Sequence, residues 1–182
     1  HTTVCGYAIP ERLLFNIPLC GYTNWAELPG AADMLEMAAD RIAIRLSGRY
    51  PRLFRFFFDL LAFAIKKMPN AYYRELVQSG SAADKKIAAD PDFKAHFIAD
   101  QKEALIQGGQ GVTIDALVHY VDWGFRLQEI PGKVHVFHGT DDKSVPVAYA
   151  HHLAEHIPHC ELHLLDGEGH LFPATHQDLI FE

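Results

Sequence analysis

Two stretches decide how this sequence folds: Lys133-Val134-His135-Val136-Phe137-His138-Gly139-Thr140-Asp141-Asp142, and Cys160-Glu161-Leu162-His163-Leu164-Leu165-Asp166-Gly167-Glu168-Gly169-His170. Lys133–His138 reads as a strand, because it is short, β-branched and aromatic and follows the Pro131-Gly132 turn. Val147–Ile157 has the length of a helix and is stopped by Pro158. Cys160–Leu165 reads as a second strand, ended by the turn Asp166-Gly167-Glu168-Gly169. Strand, helix and strand at this spacing form a βαβ unit. That unit implies two parallel strands joined by a right-handed crossover.

In open α/β sheets, ligands bind beyond the carboxyl ends of the strands. Here those ends carry His138-Gly139-Thr140-Asp141-Asp142-Lys143-Ser144-Val145-Pro146 and Gly167-Glu168-Gly169-His170. Parallel neighbours lie about 4.8 Å apart, so the two loops can bring a carboxylate against an imidazole. A carboxylate on one ring nitrogen fixes the tautomer and stabilises the imidazolium formed when the other nitrogen takes a proton. Asp141 and Asp142 are both candidates for the carboxylate, and either alone could be a turn-forming aspartate. Glu168 reads as a solvated or supporting carboxylate.

Outward from this unit, the chain divides into three zones. Residues 1–24 hold a helix end broken by Pro10, then the apolar run Leu13–Leu19 closed by Cys20-Gly21; that run reads as a buried parallel strand, with Pro18 acceptable only near its end. Residues 25–122 are helical. They contain an amphipathic stretch from Ala31 to Leu46 and a Phe-rich helix feeding Phe54, Phe57, Phe58, Leu61 and Ile65 into a core. A helix near Ala71–Gln78 comes next. Ser81 and Asp84 form a capping box, and Asp90-Pro91 opens a helix running to a stop at Gly108-Gly109. Ile114, Leu117, Val118 and Val121 repeat along a last helix. Residues 123–182 carry the βαβ unit.

The pattern Gly139-x-x-Asp142-x-x-Val145-Pro146, with Gly167-x-Gly169-His170 one helix later, resembles the α/β-hydrolase family, specifically its members with an inserted helical cap. Trp123-Gly124-Phe125-x-Leu127-x-x-Ile130 resembles the family's passage from cap into the penultimate strand, and Ile9-Pro10-Glu11-Arg12 the stretch after its nucleophile helix. The resemblance implies an α/β fold with the last three strands of the sheet. Residues 25–122 would be the cap, Asp142 the acid of a Ser-Asp-His triad and His170 its base; the Asp-x-x-Val-Pro spacing prefers Asp142 to Asp141. The implied reaction is hydrolysis of a carboxylic ester or similar acyl bond, on a small apolar or aromatic acyl substrate, with no metal or organic cofactor. The family's G-x-S-x-G nucleophile elbow is absent. The four serines, Ser47, Ser79, Ser81 and Ser144, lie in no such setting. Aligned on Ile9-Pro10, the elbow would fall roughly five residues upstream of His1. The expectation is therefore the C-terminal part of a hydrolase, inactive alone, whose partner is its missing N-terminal half or a complementary chain. An aspartate nucleophile, as in epoxide hydrolases and dehalogenases, and a catalytically silent binding protein are the alternatives.

Composition closes off other classes. With 182 residues, 49% hydrophobic and 12% aromatic, the chain can build a core. Its net charge of −7, with 16 basic against 23 acidic residues, opposes nucleic-acid binding. The apolar stretch Leu53–Ile65 is too short and carries Arg55 and Asp59, so it does not read as a membrane span. Cys5, Cys20 and Cys160 are odd in number and unpatterned; they read as buried free thiols in a reducing, cytoplasmic setting. Among the 12 histidines, His152-Leu153-Ala154-Glu155-His156 matches H-x-x-E-H, but it lies on the crossover helix, far from the reactive edge, and reads as surface histidines. His96 and His119 are candidates for a polar rim facing the substrate.

Overall fold

The structure is a computed structural model and describes residues 1–36 and 38–181. Its sheet is the predicted parallel pair, β1 (Val134–Gly139) and β2 (Cys160–Leu165), in register from Val134 opposite Cys160 to Gly139 opposite Leu165. The crossover helix, Val147–His156, packs on one face. Strand alternation sends Val134 and Val136 to that face, where they are fully buried with Leu153, Ala150, Ile130 and Phe125. The other face buries Phe137 against Cys20, Leu165, Phe172 and Ile180.

The third predicted strand is reduced to a ribbon. Asn16 and Pro18 carbonyls accept from the His135 and Phe137 N–H groups, and Cys20 N–H returns one bond to Phe137, giving a single parallel bridge between Leu19 and Phe137. The bond that would extend the ladder must come from residue 18, and proline has no N–H to give. The run Leu13–Leu19 is therefore not a buried strand: Leu14 is 97% exposed and Phe15 63%.

Helix α1 (Thr2–Ala8) precedes the ribbon, and the helical block begins with α2 (Ala31–Met34) and α3 (Ala38–Arg49). It continues through α4 (Pro51–Lys67), α5 (Pro69–Ser79), α6 (Ala82–Ala88), α7 (Pro91–Ala104) and α8 (Gln110–His119). The crossover helix is α9, and α10 is Gln177–Phe181. The expected helix from Ala31 to Leu46 is two helices, with Leu35 extended between them; Met37 lies outside the described residues. Asp59 explains itself as a long-range cap, its Oδ1 accepting from Gly109 N–H at 2.7 Å. The α7 helix ends at Ala104 rather than at Gly108-Gly109, with its C-cap Leu105 buried against Ala62 and Ile65.

Helical spacing did not say which face would be covered. Phe54 and Ile65 are buried as expected, but Phe57 lies exposed with Leu53, Phe56, Leu60 and Phe63. On α8 the buried residues are Thr113 and Ala116, while Ile114, Leu117 and Val118, with Val121 beyond the helix, are exposed. Among the described residues no helix is long and apolar enough to cross a membrane.

Candidate active site

The loops after β1 and β2 are brought together by a close approach. A Cβ on Gly139 would lie 2.3 Å from the Glu168 carbonyl oxygen, so only glycine lets the second loop pass over the end of β1. Asp141 N–H donates to that same carbonyl at 2.9 Å, and Gly167 turns the chain at φ 71°.

Asp142 and His170 meet in this junction. Oδ2 of Asp142 accepts from Nδ1 of His170 at 2.8 Å. Its Oδ1 accepts from the N–H groups of Ser144 and Val145 at 2.8 and 2.9 Å. Asp-x-x-Val thus forms a turn around its own aspartate, which locks the carboxylate's direction. Asp142 is buried, whereas Asp141 is exposed and does not reach the imidazole. Glu168 is half-buried and pairs loosely with His176 at 3.8 Å.

Burial alone would push the Asp142 carboxyl up; the His170 hydrogen bond and charge, the Val145 N–H and His138 outweigh it and hold it below the usual aspartate value. For His170, burial alone would lower the imidazole, and the bond and charge of Asp142 with the charge of Asp84 outweigh it, raising it above 6.5. Each partner stabilises the other's charged form. With Nδ1 engaged by Asp142, Nε2 is the nitrogen left to exchange a proton.

His170 lines a cavity of about 320 Å³ together with Tyr72, Tyr73, Phe93, Phe97 and Leu171, with Ser144 and Asp84 among its polar members. The aromatic wall comes from α5 and α7. His96 and His119 do not line it: His96 is exposed with Nδ1 on the Asp92 carbonyl, and His119 packs against Tyr22 and His1.

Three residues here escaped the sequence reading. His138 is fully buried, with Nε2 donating to the Val145 carbonyl at 2.9 Å and lying 3.5 Å from Asp142; burial lowers it, and its Nδ1 has no partner. Cys20 is buried beside Asp142 at φ 46°, a left-handed conformation costly for a residue with a Cβ. Burial, then the neighbouring Asp142 charge, pushes its thiol far up, so it stays protonated. Cys5 and Cys160 are only half-buried, and all three thiols are free. Asp84, read only as a helix cap, reaches the His170 loop.

Among the described residues, two clusters have the residue types of a metal site. In Cys20–His138–Asp142 the thiol is protonated, His138 is bound to Val145 and Asp142 is committed to His170. In His135–Glu161–His163, Lys133 already sits 2.9 Å from the only carboxylate. The H-x-x-E-H histidines serve structure. His152 is not at the surface but buried, with Nδ1 2.7 Å from the Thr23 hydroxyl and Nε2 3.2 Å from the Glu27 carbonyl.

No protein-family model and no curated protein sequence matches the chain. Solved structures do. The fold is similar to that of olei00960, a hydrolase from Oleispira antarctica, with a TM-score of 0.58 and 14% identity over 97% of this chain and 56% of that one. It is also similar to Rv0554 from Mycobacterium tuberculosis, with a TM-score of 0.56 and 15% identity over 98% of this chain and 58% of that one. The serine hydrolase CCSP0084 from Cycloclasticus zankles gives 0.55 and 15% over 98% and 56%. The chain has part of an α/β-hydrolase fold. It spans between 56% and 60% of the length of these and similar structures, among them an α/β-hydrolase-fold protein from Nakamurella multipartita. Within such a fold, a paired aspartate and histidine on loops at the carboxyl end of the sheet lie where ligands are met.

Proposed function

We propose that this α/β-hydrolase chain supplies the base and orienting carboxylate for hydrolysis of a carboxylic ester or similar acyl bond, with the nucleophile contributed by residues outside it. The observation that carries this reading is the 2.8 Å hydrogen bond from His170 Nδ1 to a buried, doubly anchored Asp142 at the wall of an aromatic cavity. His170 Nε2 takes the proton of an attacking hydroxyl while Asp142 stabilises the imidazolium. The same nitrogen returns the proton to the leaving alkoxide, and a second cycle with water frees the acid. Tyr72, Tyr73, Phe93 and Phe97 make the cavity suited to a small apolar or aromatic acyl group. Residues 25–122 act as a cap, because α5 to α7 line the cavity beside the imidazole.

The test is an activated-ester assay on two preparations, this chain alone and the chain joined to an upstream segment bearing a serine elbow. The joined protein should turn over and lose activity on His170→Gln, and the chain alone should give neither turnover nor an acyl burst. Activity of the joined protein that survives His170→Gln would overturn the proposal, as would a burst from the chain alone.

A further inference from the structure

Among the helices of the block, α6 opens unusually. Its capping box is complete: Ser81 Oγ accepts from Asp84 N–H at 3.1 Å, and Asp84 Oδ2 accepts from the Ser81 N–H and hydroxyl at 3.0 and 2.9 Å. A cap exposes its residues to water in the ordinary case, and Asp90, which caps α7 by the same chemistry, is exposed. Ser81 and Asp84 are 2% and 4% exposed. What covers them is the His170 loop. Asp84 Oδ1, which the box leaves free, accepts from Leu171 N–H at 2.7 Å across 87 positions of sequence. On the other side of His170, a Cβ on Gly169 would lie 2.2 Å from Ser81 Oγ and 2.3 Å from Asp84 Oδ2. The residues before and after the imidazole are thus both seated on one helix cap, and the turn Phe172–Ala174 that follows also packs on α6.

We infer that Asp84 is a positioning residue for His170: the cap of α6 fastens the base-bearing loop to the helical block, so that the cavity wall and the imidazole move as one unit. This rests on the proposed role of His170. A structural cap needs one carboxylate oxygen; the second is spent on the backbone of the base's neighbour, and the glycine at 169 allows that contact. The consequence is that a shift of α6, the element next to the aromatic helices α5 and α7, re-aims Nε2 of His170. The ionisable groups facing His170 are Asp142, His138 and Cys20 from the core side and Asp84 from α6, with Tyr72 and Tyr73 in the shared cavity.

The experiment follows the His170 ring by NMR in the 182-residue chain, its signals assigned by their loss in His170→Gln. Asp84→Asn keeps an acceptor for Leu171 N–H and removes the charge; Asp84→Ala removes both; Ser81→Ala weakens the cap but leaves the bond to Leu171. We expect the His170 titration to move down in Asp84→Asn, by less than in Asp142→Asn, and the ring signals to split or broaden in Asp84→Ala, with little change in Ser81→Ala. A lower melting temperature with an unmoved titration and ring signals in both Asp84 variants would overturn the inference and leave Asp84 a plain cap. If Asp84→Ala does not fold, Gly169→Ala takes its place, since its Cβ would force the loop off the cap; unmoved His170 ring signals there, with an unmoved titration in Asp84→Asn, overturn the inference. An unmoved titration in Asp142→Asn would instead count against the Asp142–His170 relay itself.

Discussion

Asp142 holds His170 through Oδ2 at 2.8 Å while its Oδ1 is pinned by the N–H groups of Ser144 and Val145. A carboxylate fixed by its own turn cannot swing to follow the imidazole; the imidazole is oriented by it. In the protein with its nucleophile present, Asp142→Asn should lower kcat by about 10⁴, the scale known for loss of a triad aspartate. Asp141→Asn should cost less than about tenfold, since Asn can replace a turn Asp. Steady-state kinetics on both variants decide this, and equal losses would break the assignment.

The same pair predicts a pH window of stability. His170 is raised above 6.5, so its contribution is complete below 6.5 and is lost as pH climbs through the raised value. Asp142 is depressed below 3.8, so its contribution is complete above 3.8 and is lost as pH falls through the depressed value. The melting-temperature gap between the parent chain and His170→Gln should therefore be widest between 3.8 and 6.5 and should narrow at alkaline pH. Thermal melts across pH measure it; a gap that widens above neutrality contradicts the pairing.

Gly139→Ala should destabilise by about 1–3 kcal/mol, because its Cβ would collide with the Glu168 backbone and force the two loops apart. Urea melts give the loss. The His170 ring signals should move with it, since the displaced loop carries the imidazole.

His152→Ala should cost about 1–3 kcal/mol, leaving the buried Thr23 hydroxyl without its partner. His156→Ala, whose ring bonds only the His152 carbonyl, should cost much less. Denaturant titration of the two variants checks the ratio, and equal costs would mean the histidine pair acts as a unit.

Leu14 and Phe15 stand in water beside the segment that borders β1, an edge prone to pairing with another chain. The purified chain should self-associate, and Leu14→Ser with Phe15→Ser should shift its light-scattering mass downwards. A parent chain that is monodisperse and monomeric would refute this.

The βαβ unit, its two loops, the Ser81–Asp84 capping box and the Asp90 N-cap were legible from sequence, because each rests on signals only a few residues long: β-branched runs, Pro and Gly punctuation, a hydroxyl three residues before a carboxylate. Local pattern could also place Asp142 and His170 at neighbouring strand ends. It could not show that Pro18 would strip the third strand to one bridge, since the missing bond depends on which residue of β1 lies opposite. Nor could it show that Phe57 and Ile114 would face outward, that Asp84, His138 and Cys20 would gather around the Asp142–His170 pair, or that His152 would be buried against Thr23 and Glu27. A helix's period marks an apolar stripe, and what covers that stripe is chosen by elements far away in the chain. Asp84 shows the division most clearly. Its capping bonds to Ser81 are set by three residues of sequence, and its bond to Leu171 exists because the fold carries the His170 loop onto α6.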